Sequence, residues 1–345
     1  MKRCLLAFVL TMAIRSAICQ SPGVPQEDRT KHEVLSVEVE PSVRLEVLDW
    51  GGKGSPVLLI PGLGMTAHSF DPFAEKLSLT HHVYGITRRG IGKSSTPAPT
   101  ATNYTAARLG ADVVAVMAFL KIPKAVLIGH SFGGEELSAV GTAHPEMVSG
   151  LIYLEAAYGY AFYDPRVGDL EIDVRDVREG LANVDPGKMP IDKRDQLREI
   201  LSQLPRLTKD LEALLKNMND NPPPNDPSRL APPQFAAMLR GKQKFTMMTV
   251  PVLAIFAYRH QLPAEGMLQD EQQRAAAGKE AVFTEEHVEA LKAVDPSALI
   301  VRIPNANHFV FKSNESEVLR QVNEFIEGLQ RQSSEVPVQS AFTSL

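Results

Sequence analysis

Cysteine is nearly absent: the chain of 345 residues has two, Cys4 and Cys19, and both lie ahead of residue 20. If that stretch is cleaved away, no disulfide, thiol nucleophile or thiolate metal site remains. An H-E-x-x-H motif and a Cys/His cluster are also missing, so neither a metal nor another cofactor is implied. Charge of one sign is not in excess: 36 Lys and Arg face 41 Asp and Glu, for a net charge of -5. That balance offers no basic surface for nucleic-acid phosphates or an anionic membrane. There is no internal repeat and no apolar run long enough to cross a bilayer, which takes about 20 residues. What is present is 44% hydrophobic and 22% charged residues, which excludes a disordered or collagen-like chain. The length suits one large domain or two ordinary ones.

The chain opens Met1-Lys2-Arg3 and then runs through residues 4–14 without a charge. A basic start followed by an apolar stretch too short for a transmembrane helix is the pattern of an export signal. Ser16-Ala17-Ile18-Cys19-Gln20 supplies small residues near a cleavage point after Cys19, although Arg15 is out of place there. Ile18 argues against lipid attachment at Cys19. Residues 1–19 are therefore read as a signal peptide of the bacterial type. It would send the protein to the periplasm or the medium, with no stable membrane insertion once removed. Residues 20–31 read as a polar, proline-containing linker, and residues 332–345 as a polar, mobile tail.

The rest alternates between two periodicities. Residues 33–40 and 43–48 alternate apolar with polar side chains and predict a pair of antiparallel edge strands. Residues 56–60, Pro-Val-Leu-Leu-Ile, suit a strand buried on both faces of a parallel sheet. Further strands are expected at 82–86, 125–128, 151–154, 250–256 and 298–303, with helices at 70–79, 105–120, 134–143, 284–293 and 315–329. This order predicts an α/β fold with a mostly parallel, doubly wound sheet of about eight strands. Between residues 155 and 250 the alternation stops. Helical patterns such as 195–204 and 207–218 fill the gap, and Asn221-Pro222-Pro223-Pro224-Asn225 marks a loop within it. Residues 156–249 are expected to form a helical cap over the C-terminal edge of the sheet, where open α/β sheets bind ligands. Residues 32–155 and 250–331 would form the core. Cap charges such as Asp164, Arg166, Asp169 and Arg175 read as solvated helix faces. Tyr158, Tyr160, Phe162 and Tyr163 either line a pocket entrance or pack cap against core.

The strand at 125–128 runs directly into Gly129-His130-Ser131-Phe132-Gly133-Gly134 and then a helix. A G-x-S-x-G pattern alone is a weak signal, but between a buried strand and a helix it is specific. A sharp turn there strains the Ser131 backbone and lifts its hydroxyl clear of the sheet. Gly129 and Gly133 are needed because side chains at those positions would collide with neighbouring backbone. With Pro61-Gly62-Leu63-Gly64 and Arg89-Gly90-Ile91-Gly92-Lys93-Ser94, the chain resembles the α/β-hydrolase superfamily from about residue 43 to 329. Members often carry an acidic residue where this chain has Thr87.

The resemblance implies a serine nucleophile at Ser131 and an oxyanion hole made by the backbone N–H groups of Leu63 and Phe132. Gly62 and Gly64 are expected to let the first of those loops adopt positive φ. It also implies the order nucleophile, acid, histidine, with the histidine after the last strand. His308, in Pro304-Asn305-Ala306-Asn307-His308-Phe309, stands there, and its unperturbed pKa suits a general base. His130 is expected to point elsewhere, and His81, His82 and His144 to be surface or strand-end residues. The acid departs from the pattern: it should follow the strand at 250–256, but Ala257-Tyr258-Arg259-His260-Gln261 contains no carboxylate. One explanation moves it to Glu155, at the end of the preceding strand, which some members use. The other relies on Glu265 or Asp270 reaching back, or on no acid at all. Glu155 is preferred, because a carboxylate ending an apolar strand needs a partner such as a buried His308.

The expected activity is serine hydrolysis of a carboxylic ester of a small or medium molecule admitted under the cap. A serine at the turn disfavours dehalogenase and epoxide hydrolase chemistry, which in this superfamily goes with aspartate there. Amidase, peptidase, C–C bond hydrolase and haloperoxidase activities would share these residues, and a non-catalytic binding member would account for a missing acid. Oligomeric state is not legible.

Overall fold

A computed structural model describes residues 30–182, 193–220, 231–258 and 271–335. The proposed signal peptide, most of the linker, the last ten residues of the tail, and His260, Glu265 and Asp270 lie outside the described residues.

Eight strands form one sheet: β1 Glu33–Glu40, β2 Val43–Gly51, β3 Pro56–Ile60, β4 His82–Ile86, β5 Ala125–His130, β6 Val148–Leu154, β7 Val252–Tyr258 and β8 Leu299–Pro304. Their order is β1-β2-β4-β3-β5-β6-β7-β8. The β1–β2 and β2–β4 pairs are antiparallel and all the others parallel. Only β1 is an edge strand of the predicted pair; β2 lies inside the sheet against β4. The apolar runs of β3, β5, β6 and β7 are almost wholly buried, as strands covered on both faces must be.

Nine α-helices accompany the sheet among the described residues: α1 Asp71–Leu77, α2 Ala106–Phe119, α3 Gly133–Ala143, α4 Leu170–Ala182, α5 Lys193–Asp220, α6 Pro233–Arg240, α7 Glu271–Val294, α8 Val310–Ser313 and α9 Glu315–Glu335. Val113, Met117, Leu137, Phe283 and Leu291 bring α2, α3 and α7 onto one face of the sheet. Phe73, Leu77, Phe311, Val322 and Ile326 bring α1, α8 and α9 onto the other. Thr105 starts α2 by accepting the Arg108 N–H at 3.1 Å, a side-chain cap for one of the unpaired donors at a helix start. The polar pattern of 332–345 does not end the last helix at residue 331: α9 continues to Glu335.

The helices α4, α5 and α6 lie between β6 and β7, where the cap was expected. Its two central helical patterns form one continuous helix, α5, with Pro205 inside it. Some cap charges are structural instead of solvated. Asp169 is buried, caps α4 by accepting the Glu171 and Ile172 N–H groups, and pairs with Lys242. Buried Asp173 accepts from the Tyr163 hydroxyl and pairs with Arg206.

The chain leaves β3 toward β4 on one side, and β5 pairs with β3 on the other. The C-terminal ends of β3 and β5 thus flank a topological switch point, where successive connections diverge and leave a crevice.

Candidate active site

Ser131 follows β5 directly and precedes α3, with φ +50. A non-glycine residue in the left-handed region costs on the order of 1 kcal/mol, so the surroundings must impose it. They do so by hydrogen bonds: the Ser131 N–H donates to Leu154 O at 3.1 Å, and the Gly134 N–H to Ser131 O at 2.9 Å. The glycines allow the close approach. A Cβ on Gly133 would stand 2.5 Å from Ile60 O, and one on Gly129 would stand 2.8 Å from Gly133 backbone atoms.

His308 lies in the loop between β8 and α8. Its Nε2 is 3.0 Å from Ser131 Oγ, and its Nδ1 is 3.3 Å from Glu155 Oε2. The loop is tied to the β5 end by His130, whose Nε2 meets the carbonyl oxygen of His308 at 2.8 Å. His130 is fully buried, and burial together with the neighbouring His308 holds its pKa well below the ordinary value. It therefore stays neutral and donates that bond. So His130 serves the histidine loop, where the sequence suggested only that it points elsewhere. His81 stands immediately before β4, as a strand-end residue; it is buried and bonds Asn323 Oδ1 at 2.9 Å.

Glu155, the preferred acid, is fully buried one residue past β6, with φ +49. Its Oε1 accepts the Ala257 N–H of β7 at 2.6 Å, and its Oε2 accepts the Tyr158 hydroxyl at 2.7 Å. Both contacts hold the carboxylate in place, with Oε2 toward Nδ1 of the imidazole. Sequence reasoning missed these two supports. The Ala257 donor is backbone and has no signature in residue type. Tyr158 was visible, but as one of four aromatic residues.

The aromatic residues that follow Glu155 divide by task. Phe162 packs on Tyr153 in the core, with ring centroids 5.0 Å apart. Tyr160 comes near enough to Ser131 for that side chain to act on its ionisation, yet its buried hydroxyl makes no hydrogen bond of normal geometry. Burial raises the Tyr160 pKa, so the group stays a neutral O–H.

The Leu63 loop lies against the nucleophile: a Cβ on Gly62 would be 3.1 Å from Ser131 Cβ. Only Gly64, at φ +75, takes the positive φ expected of both loop glycines; Gly62 is required for closeness alone. No backbone carbonyl among the described residues accepts from the Leu63 or Phe132 N–H. Leu63 and Tyr160 pack on an apolar cluster that includes Phe132 and Met238 of α6, so α6 packs against the residue that follows Ser131. No group of His, Cys, Asp and Glu among the described residues could hold a metal ion, and no helix there is long and apolar enough to cross a membrane.

Comparison with known proteins agrees with this architecture. A fluoroacetate dehalogenase of Burkholderia sp is 29% identical over 116 residues, which are 33% of this chain and 38% of that protein. The sn-1-specific diacylglycerol lipase ABHD11 of Danio rerio is 27% identical over 135 residues, 39% of this chain and 41% of that protein. The chain thus matches less than half the length of these two curated relatives. An esterase (EaEST) from Exiguobacterium antarcticum superposes with a TM-score of 0.54 at 15% identity, covering 86% of this chain and 100% of that one. The description of the alpha/beta hydrolase fold matches residues 55–315, and the chain belongs to that family.

Proposed function

We propose that this chain is an exported serine hydrolase that cleaves carboxylic esters of small or medium molecules through an acyl-enzyme. The observation that carries the reading is the hydrogen-bonded series Ser131–His308–Glu155 at the switch point of the sheet. In this mechanism Ser131 Oγ attacks the ester carbonyl carbon while His308 Nε2 takes the hydroxyl proton. Glu155 holds the Nδ1–H tautomer and balances the imidazolium that forms. The Leu63 and Phe132 N–H groups donate to the new oxyanion, each contributing about 3–4 kcal/mol. The intermediate collapses, the bond to the alcohol oxygen breaks, and His308 returns the proton to the alcohol. Water, deprotonated by the same imidazole, then attacks the acyl carbon; the bond to Oγ breaks, His308 gives that proton back to Oγ, and the carboxylic acid leaves.

The apolar cluster around Phe132, with Leu63, Tyr160 and Phe235 packed on it, favours an apolar group on the ester over a charged one. A fluorophosphonate probe tests the nucleophile: it should label the wild type at Ser131 and leave Ser131→Ala unlabelled. A p-nitrophenyl ester series, run beside the matching anilides, tests the bond. Turnover of anilides without esters would replace esterase by amidase. The export signal predicts a mature protein in the periplasm or medium that begins at Gln20; N-terminal sequencing reads this directly.

A further inference from the structure

Arg88 stands beside the Arg-Gly loop that carried the family resemblance, and nothing in that resemblance gives it a task. Its side chain is almost fully buried between the two loops that supply the proposed oxyanion donors. The guanidinium makes a two-pronged pair with Glu136 on α3, through Nε to Oε1 and through Nη2 to Oε2 at 2.9 Å. Nη2 also donates to Pro61 O at 2.8 Å, and Nη1 to Gly62 O at 3.2 Å. The guanidinium carbon lies 5.5 Å from the centre of the Phe132 ring. One planar fork therefore touches the Leu63 loop, the Phe132 side chain and the first turn of the helix that begins after Phe132.

Peptide geometry turns these contacts into an orientation. The Gly62 carbonyl and the Leu63 N–H belong to one planar trans peptide, so they point in opposite directions. Arg88 and the Met65 N–H, the latter at 3.2 Å, both hold the Gly62 carbonyl. A carbonyl held toward Arg88 leaves the Leu63 N–H facing away from Arg88. Glu136 fixes the guanidinium in turn, five residues after Ser131 on the helix that the serine turn begins. A buried ion pair gives little net stability compared with apolar residues of the same volume. Stability alone therefore does not account for this one.

We infer that the buried Arg88–Glu136 pair is the positioning element of the oxyanion hole, setting the Leu63 peptide against Phe132 so that both N–H groups meet one oxygen. This inference rests on the serine hydrolase reading above. Arginine is required, because a lysine ammonium has the charge but not the planar fork that reaches Glu136, Pro61 and Gly62 together.

The test compares Arg88→Lys, Glu136→Gln and the double variant Arg88→Met/Glu136→Met, which leaves no buried charge unpaired. Two rates are measured for each: phosphonylation of Ser131 by a fluorophosphonate, and hydrolysis of p-nitrophenyl butyrate. In phosphonylation Oγ attacks phosphorus, fluoride leaves, His308 takes the hydroxyl proton, and the phosphoryl oxygen enters the same hole. All three variants should label 10- to 100-fold more slowly and lose kcat by a similar factor. KM and the pH dependence of kcat should stay as in the wild type, since contacts made only in the transition state do not alter ground-state binding. The double variant should keep its thermal midpoint within a few degrees, which separates positioning from folding. Wild-type labelling and kcat in Glu136→Gln, or in the double variant, would overturn the inference. Slow labelling accompanied by a shifted pH profile would overturn it too, by placing the damage at His308. An unlabelled wild type would instead sink the serine hydrolase reading itself.

Discussion

The ends of the neighbouring strands β6 and β7 hold complementary halves of one arrangement. β6 hands over to a carboxylate, Glu155, and β7 offers it a backbone N–H from Ala257. Leu154, the last residue of β6, pairs with Ile255, and β7 runs on to Tyr258, so its last residues pass beside Glu155, with the strands separated by roughly 4.8 Å. A carboxylate rooted on either strand can therefore reach the same imidazole. The β6 position adds a condition. The backbone of Glu155 takes a left-handed φ of +49, and its N–H donates to Ile255 O at 2.9 Å, which anchors the bend to β7. The proposed chemistry needs a carboxylate at Nδ1 of His308, and here one is placed there across strands instead of along one. The end of β7, where the family resemblance looked for the acid itself, holds the Glu155 carboxylate of its neighbour.

Removing the β6 half should have the largest effect. Glu155→Gln keeps the size of the side chain and an acceptor for the Ala257 N–H, but an amide cannot balance an imidazolium. Ester kcat should fall by about 10³- to 10⁴-fold while circular dichroism and the thermal midpoint stay near wild type. Should Glu265→Gln or Asp270→Asn abolish turnover while Glu155→Gln spares it, the acid belongs to the β7 side after all. Loosening the same half should do less. Tyr158→Phe deletes one charge-assisted hydrogen bond to Oε2, and kcat should drop about 10-fold. An unchanged kcat in Tyr158→Phe would reduce Tyr158 to packing.

The same pair of strands shows how much was legible beforehand. Strands β3, β5, β6 and β7 announce themselves as short apolar runs, because burial on both faces leaves no room for polar residues. Ser131 was proposed from a strand-to-helix turn with glycines, and His308 from the chain order that the family resemblance implies. Glu155 was preferred because some members of the family place the acid at that strand end and because a lone buried carboxylate is costly; the structure sets it 3.3 Å from His308 Nδ1. Three things were not readable. The donors that hold Glu155 come from a backbone amide and a tyrosine whose direction depends on tertiary packing. Arg88 and Glu136 are separated by 48 residues and look like ordinary surface charges until the sheet brings them together. In the cap, Asp169 and Asp173 carry the same one-letter signature as solvated acids, and only the partners Lys242 and Arg206 distinguish them.

The smallest expected effect tests what packs against the acid from the β7 side. His287, on α7 after β7, sits with its ring 4.9 Å from the ring of Tyr158, and its Nδ1 meets Phe283 O at 2.8 Å. Burial lowers its pKa, as it does that of His130. In the unfolded chain such a histidine binds a proton near pH 6.5, whereas in the folded protein it does so only at lower pH. The unfolded state therefore holds more protons once the pH drops below about 6.5. The stability contributed by a neutral His287 is fully present above that pH and is lost as the pH falls. Buried Glu135, Glu136 and Asp112, whose pKa values burial raises, act in the opposite sense, because their folded forms take up protons first. The total slope mixes both signs, so the informative quantity is the difference between wild type and His287→Gln. Urea midpoints at pH 7.5, 6.5 and 5.5 should show the variant gaining on the wild type as the pH falls, by at most about 1.4 kcal/mol per unit. A constant gap across that range would mean that His287 takes up its proton without unfolding, and that the wall behind Tyr158 is open to water.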